Sequence, residues 1–172
     1  MVTLLIVSII LFVSYIGYTV GMYGIPASIS DTYYRLGKKG WLFTLFCLAE
    51  SSLLVASFIE ASKEEYQFLA FIASASLAFV GSAPLFKEDY NRNIHYVSAG
   101  ICALASLVWQ VLMSFWYVPL ITFLGGVIVL ACFKFRKPVF WMEMCAFIST
   151  YILRDNMKNY YLHLYNNSSC YL

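Results

Sequence analysis

Apolar runs of about 20 residues alternate with short polar connections along the chain, and this alternation predicts membrane-crossing helices. At 1.5 Å rise per residue such a run crosses a hydrocarbon core of roughly 30 Å. Six runs can be laid out, over residues 2–24, 41–61, 67–86, 94–114, 116–133 and 138–154, followed by a Tyr/Asn-rich tail over 155–172. The charged residues gather between them, in DTYYRLGKKG at 31–40, KEEY at 63–66, KEDYNRN at 87–93 and KFRKP at 134–138. Only the run from Ile94 to Phe133 lacks such a punctuation mark. There Trp116 and Tyr117 read as an interfacial belt and Pro119 suits the first turn of a new helix, so two spans are expected.

Composition sharpens this by exclusion. With 62% hydrophobic, 19% aromatic and only 12% charged residues in 172, the chain lacks the charge of a water-soluble domain, and its mean hydropathy is +0.75. That rules out a disordered chain, a coiled coil or a nucleic-acid binder, whose basic face needs far more than 11 Lys and Arg. The expected fold class is all-α, a polytopic six-span bundle.

Basic residues in short loops favour the cytoplasm. The first, third and fifth connections hold Arg35, Lys38, Lys39, Lys87, Arg92, Lys134, Arg136 and Lys137, against Lys63, Arg154 and Lys158 on the other side. Both termini are therefore expected on the non-cytoplasmic side, most simply of a bacterial inner membrane. The first run lacks a basic n-region and an A-x-A-like cleavage site, so it reads as a retained span. In the tail, Tyr160, Tyr161, Leu162, Leu164 and Tyr165 suit an interfacial segment, and Asn166 and Asn167 begin N-x-S sequons that read as chance matches in an Asn/Ser run. Cys47, Cys102, Cys132, Cys145 and Cys170 form no CxxC pair; the first four read as small packing residues.

Small residues at helical spacing mark faces where membrane helices approach closely. Such stripes run through Ser14, Gly17, Gly21 and Gly24, through Ala70, Ser74, Ala78 and Gly81, and through Ala99, Cys102 and Ser106. All three are expected to be packing seams; one lining a lipid or substrate groove is the functional alternative.

Ionisable groups inside spans discriminate better, because a charge near the bilayer centre costs roughly 2.5 to 3.5 kcal/mol on insertion scales. Glu50 lies about 13.5 Å below the start of its span, near the midplane. A protonated carboxyl bonded to a backbone carbonyl or to a neighbour's Ser is one reading; a substrate, ion or proton site is the other. Glu143 lies about two turns in from the cytoplasmic edge, and His95 opens the fourth span with Ala99, Cys102, Ser106 and Gln110 on one face. In the first connection, Ser28 and Asp31 match a capping box ahead of a short interfacial helix ending at Gly37. Ser30 and Asp31 thus stand between the first two spans, beside Arg35, Lys38 and Lys39, which attract anionic lipid head groups. Convergence of Asp31, His95 and Glu143 at this surface would make a head-group site or proton relay.

PASISDTYY after the first span, KEDYNRNIHYVSAG leading the fourth and FWMEMCAF in the sixth resemble elements of the six-span DRAM/Frag/Sfk membrane proteins. The likeness covers about a third of the chain; its shorter length and very short outer loops depart from that pattern, and its overall look is also that of bacterial or phage-encoded polytopic proteins. The resemblance implies a six-helix bundle with a lipid or membrane-trafficking role, and it puts weight on Ser30, Asp31, His95 and Glu143.

Enzyme classes are narrowed by what they require. With His95 and His163 on opposite sides, an intramembrane zinc hydrolase is excluded; there is no rhomboid-type G-x-S-G, P-loop or GxGxxG. No cofactor, metal or nucleic-acid partner is expected. The first expectation is a non-enzymatic interaction or accessory protein touching anionic lipid, with a possible protein partner or second copy. A lipid-binding protein or transporter is the second, and a metal-independent lipid-modifying enzyme using Asp31, His95 and Glu143 the third.

Overall fold

The computed structural model describes the backbone of residues 2–85, 88–132, 134 and 136–168, and the side chains of residues 3–84, 93–132, 134 and 136–153. Among these every regular element is helical. In chain order they are α1 (Val2–Tyr23), α2 (Thr32–Leu36), α3 (Trp41–Ala61), α4 (Gln67–Ser82), α5 (Glu88–Leu112), α6 (Tyr117–Cys132) and α7 (Pro138–Ser168), with single 3-10 turns after α2, before α4 and after α4. The apolar runs emerge as helices, but two bounds are corrected. α5 starts at Glu88, six residues ahead of the expected 94. α7 begins on its proline, as N1 chemistry favours, and continues past the expected 154 to Ser168, so that the tail extends the last helix. The tail readings at Tyr160 to Tyr165, the sequon residues, His163 and Cys170 concern side chains outside the described residues.

Among the described residues, three helices are long and apolar enough to cross a membrane: Thr3–Tyr23, Trp41–Ala61 and Asn93–Leu112. Tyr117–Cys132 and Pro138–Leu153 are shorter apolar helices. At 16 residues each, α4 and α6 span about 24 Å, so a full crossing draws on their flanking turns.

The uncharged run from Ile94 to Phe133 does break into two helices. Ser114 takes φ 69°, the Ser114 N–H donates to Val111 O at 2.9 Å, and the Phe115 N–H donates to Gln110 O at 3.1 Å. This is a Schellman stop with serine where glycine is usual. Trp116 and Tyr117 are exposed beyond it.

In the packing order, α3 lies between α1 and α4, α4 between α3 and α5, and α6 leans on α7, which returns to touch α3 and α5. The core of α1, α3 and α7 is aromatic: Phe12 meets Phe147 at 4.7 Å and Tyr151 at 5.7 Å between ring centroids, and Tyr15 stacks on Phe46 at 4.2 Å. The outward faces are apolar too, with Ile10 and Val13 on α1, Phe68 and Phe71 on α4, and Ile121 and Ile128 on α6 exposed. An apolar exterior of this extent suits lipid and not water.

The small-residue stripes part company. That of α4 is a seam: Ala70, Ser74 and Gly81 are buried, Ser51 Oγ donates to Ser74 O at 2.6 Å, and a Cβ at Gly81 would collide with Cys47. On α5, Ala99, Cys102 and Ser106 are half-buried on the inward face. The expected seam on α1 is corrected. Ser14, Gly17, Gly21 and Gly24 face outward, and the buried face is Leu5, Ser8, Phe12, Tyr15 and Thr19, because the large aromatic side chains bury more surface than the glycine face offers.

Candidate functional site

The sequence-predicted polar residues fall into three separate places. The deepest is on α3. Glu50 is wholly buried, as is Ser8 on α1, and Tyr151 on α7 is 8% exposed. Ser8 Oγ donates to Glu50 Oε2 at 2.5 Å, Tyr151 Oη donates to the same oxygen at 3.1 Å, and the two hydroxyl oxygens are 3.2 Å apart. Three helices thus meet on one carboxyl oxygen. The other, Glu50 Oε1, is buried without a hydrogen-bond partner. Among the described residues no cation lies within ion-pair distance of Glu50, the one ion pair there being Arg35 with Asp31.

The second place is the connection after α1. Its backbone is pinned to the start of α7: the Ile29 N–H donates to Glu143 Oε2, and the Phe140 N–H donates to Ala27 O at 3.2 Å. Asp31 holds the same loop from within, accepting from the Ala27 N–H at 3.1 Å and from Arg35 Nε at 2.7 Å. Half of the expected capping box forms, the Asp31 N–H donating to Ser28 Oγ at 3.0 Å, while the Asp31 carboxylate reaches Ala27 instead of Ser28. Ser30 Oγ pairs with Ser28 Oγ at 2.9 Å. The short helix follows and ends at Gly37 as the sequence predicts. Its Thr32 Oγ1 meets Tyr15 Oη at 2.5 Å, tying α2 to α1.

Electrostatics at this loop follow from those contacts. Burial pushes the Asp31 carboxyl up, but the Ala27 N–H, the Arg35 hydrogen bond and the charges of Arg35 and Lys137 outweigh it and hold it below the ordinary value of 3.8. The Ile29–Glu143 and Phe140–Ala27 hydrogen bonds put the first and fifth connections at one end of the molecule. Lys38, Lys39, Lys134, Arg136 and Lys137 are all exposed.

His95 stands in the third place. It is half-buried against the backbone of Val80 on α4 and sets its ring 5.8 Å from that of Tyr96. Among the described residues no hydrogen bond or ion pair joins it to Asp31 or Glu143. The structure thus brings Ser30, Asp31 and Glu143 to one loop and sends Glu50 and His95 elsewhere. Ser8 and Tyr151 escaped the sequence reading, because single hydroxyls in apolar runs carry no spacing signal until the helices are assembled.

No family model matches the chain, and neither the curated proteins nor the solved structures offer a match. The resemblance carried by PASISDTYY, KEDYNRNIHYVSAG and FWMEMCAF stands on those residues alone.

Proposed function

We propose that this chain is a six-span integral membrane protein with both termini on the non-cytoplasmic side, acting as a non-enzymatic interaction or accessory protein of the cytoplasmic membrane. One observation supports this above the enzyme reading: the acid and base that a lipid-modifying site would need are engaged apart. Glu143 accepts the Ile29 N–H, Asp31 the Ala27 N–H and Arg35, and His95 lies against Val80 on α4. Acid–base chemistry needs such groups within hydrogen-bond reach of one reacting atom. Here the two carboxyls secure the first connection instead.

The contact of the first connection with the start of α7 supports the topology, since it joins at one end the first and fifth connections, which carry Arg35, Lys38, Lys39, Lys134, Arg136 and Lys137. A second reading, anionic lipid binding at that end, is favoured by the same junction and by the exposure of Lys38, Lys39 and Lys137.

The test is to compare wild type with Glu143→Leu and His95→Ala in lipid nanodiscs, by unfolding and native mass spectrometry. Glu143→Leu leaves the Ile29 N–H without its acceptor and is expected to lower stability by about 1 to 3 kcal/mol, with the bound lipids unchanged in both variants. Loss of a stoichiometric lipid from either variant would contradict the interaction reading and favour lipid binding.

A further inference from the structure

The Glu50 carboxyl has one oxygen too many for its surroundings. Oε2 accepts both hydroxyls, whereas Oε1 is buried and unpartnered. As a carboxylate, Glu50 would put a full negative charge at zero exposure with no cation beside it among the described residues, a burden that membrane interiors impose on few residues. As the neutral acid, Oε2 is the carbonyl and Oε1 carries the hydrogen. A cation cage fits less well, because oxygens 2.5 and 3.1 Å apart are at hydrogen-bond spacing, already closed around protons.

Two further orphans lie toward the end of the bundle where α3 and α5 finish. Ser57 is wholly buried and its Oγ has no partner. This is unlike Ser52, Ser62, Ser82 and Ser106, whose hydroxyls turn back onto the carbonyls four residues earlier. Ser57 is seven residues beyond Glu50 on nearly the same face of α3, about 10.5 Å along it. Gln110 on α5 is 3% exposed with Oε1 unpartnered. Its level is fixed by the neighbouring Trp109, whose Nε1 donates to Ser62 Oγ at 2.7 Å and whose ring lies 4.9 Å from that of Phe58.

We propose that Glu50 is an exchangeable proton-binding site inside the bundle, filled as the neutral acid with its proton on Oε1, and that Ser57 and Gln110 mark the route by which this proton exchanges with the end of the bundle where α3 and α5 finish. In the exchange the Oε1–H bond breaks, the proton passes to a water molecule, and a proton delivered by the same route restores the bond. Ser8 and Tyr151 hold Oε2 throughout. The titratable groups coupled to it among the described residues are Cys47 on the same helix and Tyr151 on α7; neither is a cation that would favour the ionised form. The site goes beyond the interaction role and rests only on the membrane placement in that reading.

The experiment is infrared spectroscopy of the full chain reconstituted in phosphatidylcholine vesicles at neutral pH, followed after transfer into heavy water. Resistance of the reconstituted chain to alkaline extraction reports membrane placement separately. The site predicts an acid carbonyl band that is absent in Glu50→Gln and moves to its deuterated frequency in heavy water. Ser57→Ala and Gln110→Leu should each slow that move by about tenfold, the effect of removing one hydrogen-bonding step from the transfer, and Ser52→Ala should leave it unchanged. Should Glu50→Gln not fold, Tyr151→Phe identifies the band by raising its frequency, since it removes one donor from Oε2. Absence of an acid band at neutral pH, a band that never exchanges, or exchange unaltered in both Ser57→Ala and Gln110→Leu would overturn the proposal.

Discussion

At the scale of single residues, the chemistry is that of polar groups finding partners where water is scarce. The hydroxyls of Ser8 and Tyr151 converge on Glu50 Oε2, so removing either is expected to destabilise the chain by about 0.6 to 1.7 kcal/mol, the range for hydrogen bonds between membrane helices. Unfolding of Ser8→Ala, Tyr151→Phe and the double variant should show coupling, because both hydroxyls serve one atom; strict additivity would separate them. Asp31 gives a pH dependence of opposite character to a buried neutral acid. Its folded value lies below 3.8, so its contribution is complete above that pH and is lost as pH falls through the lower folded value. The Asp31–Arg35 pair is partly exposed, so the effect is small; it should vanish in Asp31→Asn when stability is followed from neutral to acid pH. Glu50 was legible in the sequence because a carboxylate in an apolar run is conspicuous. Its partners were not, since Ser8 on α1 and Tyr151 on α7 become neighbours only after the helices between them are in position.

At the scale of elements, the sequence was most informative where charge marks the ends of apolar runs, and Trp41–Ala61 emerges with the expected bounds. The break at Ser114 was signalled by Trp116, Tyr117 and Pro119 beyond it, while its Schellman geometry was not, because serine occupies the position where glycine is usual. Small-residue spacing proved a guide to which faces can approach, without saying which do: the α4 stripe is packed and the α1 stripe faces out. Gly81→Val should therefore force α4 away from Cys47 and cost about 1 to 3 kcal/mol, as overpacking does. Gly21→Ala, with open space around it, should be tolerated. Thermal unfolding in detergent checks both, and a large loss in Gly21→Ala would reveal that this face is covered in the assembled protein. Asp31 and Glu143 were correctly placed at one end by the charge pattern. That His95 would join them did not follow, because its position on α5 is set by how α5 packs on α4.

At the scale of the whole molecule, a bundle with an aromatic core and an apolar exterior is held by a few polar ties: Glu50 joining α1, α3 and α7, and Glu143 fastening to α7 the first connection, which Asp31 braces from within. The central claim is that these helices cross a membrane six times with the first, third and fifth connections on the cytoplasmic side. The most direct measurement introduces one cysteine at a time, Lys38→Cys, Lys137→Cys or Lys63→Cys, and compares labelling by a membrane-impermeant thiol reagent with that of the parent chain, in intact and permeabilised cells. The account predicts that Lys63→Cys labels in intact cells and that Lys38→Cys and Lys137→Cys label only after permeabilisation. Labelling of Lys38→Cys or Lys137→Cys in intact cells, or of all three alike, would contradict it.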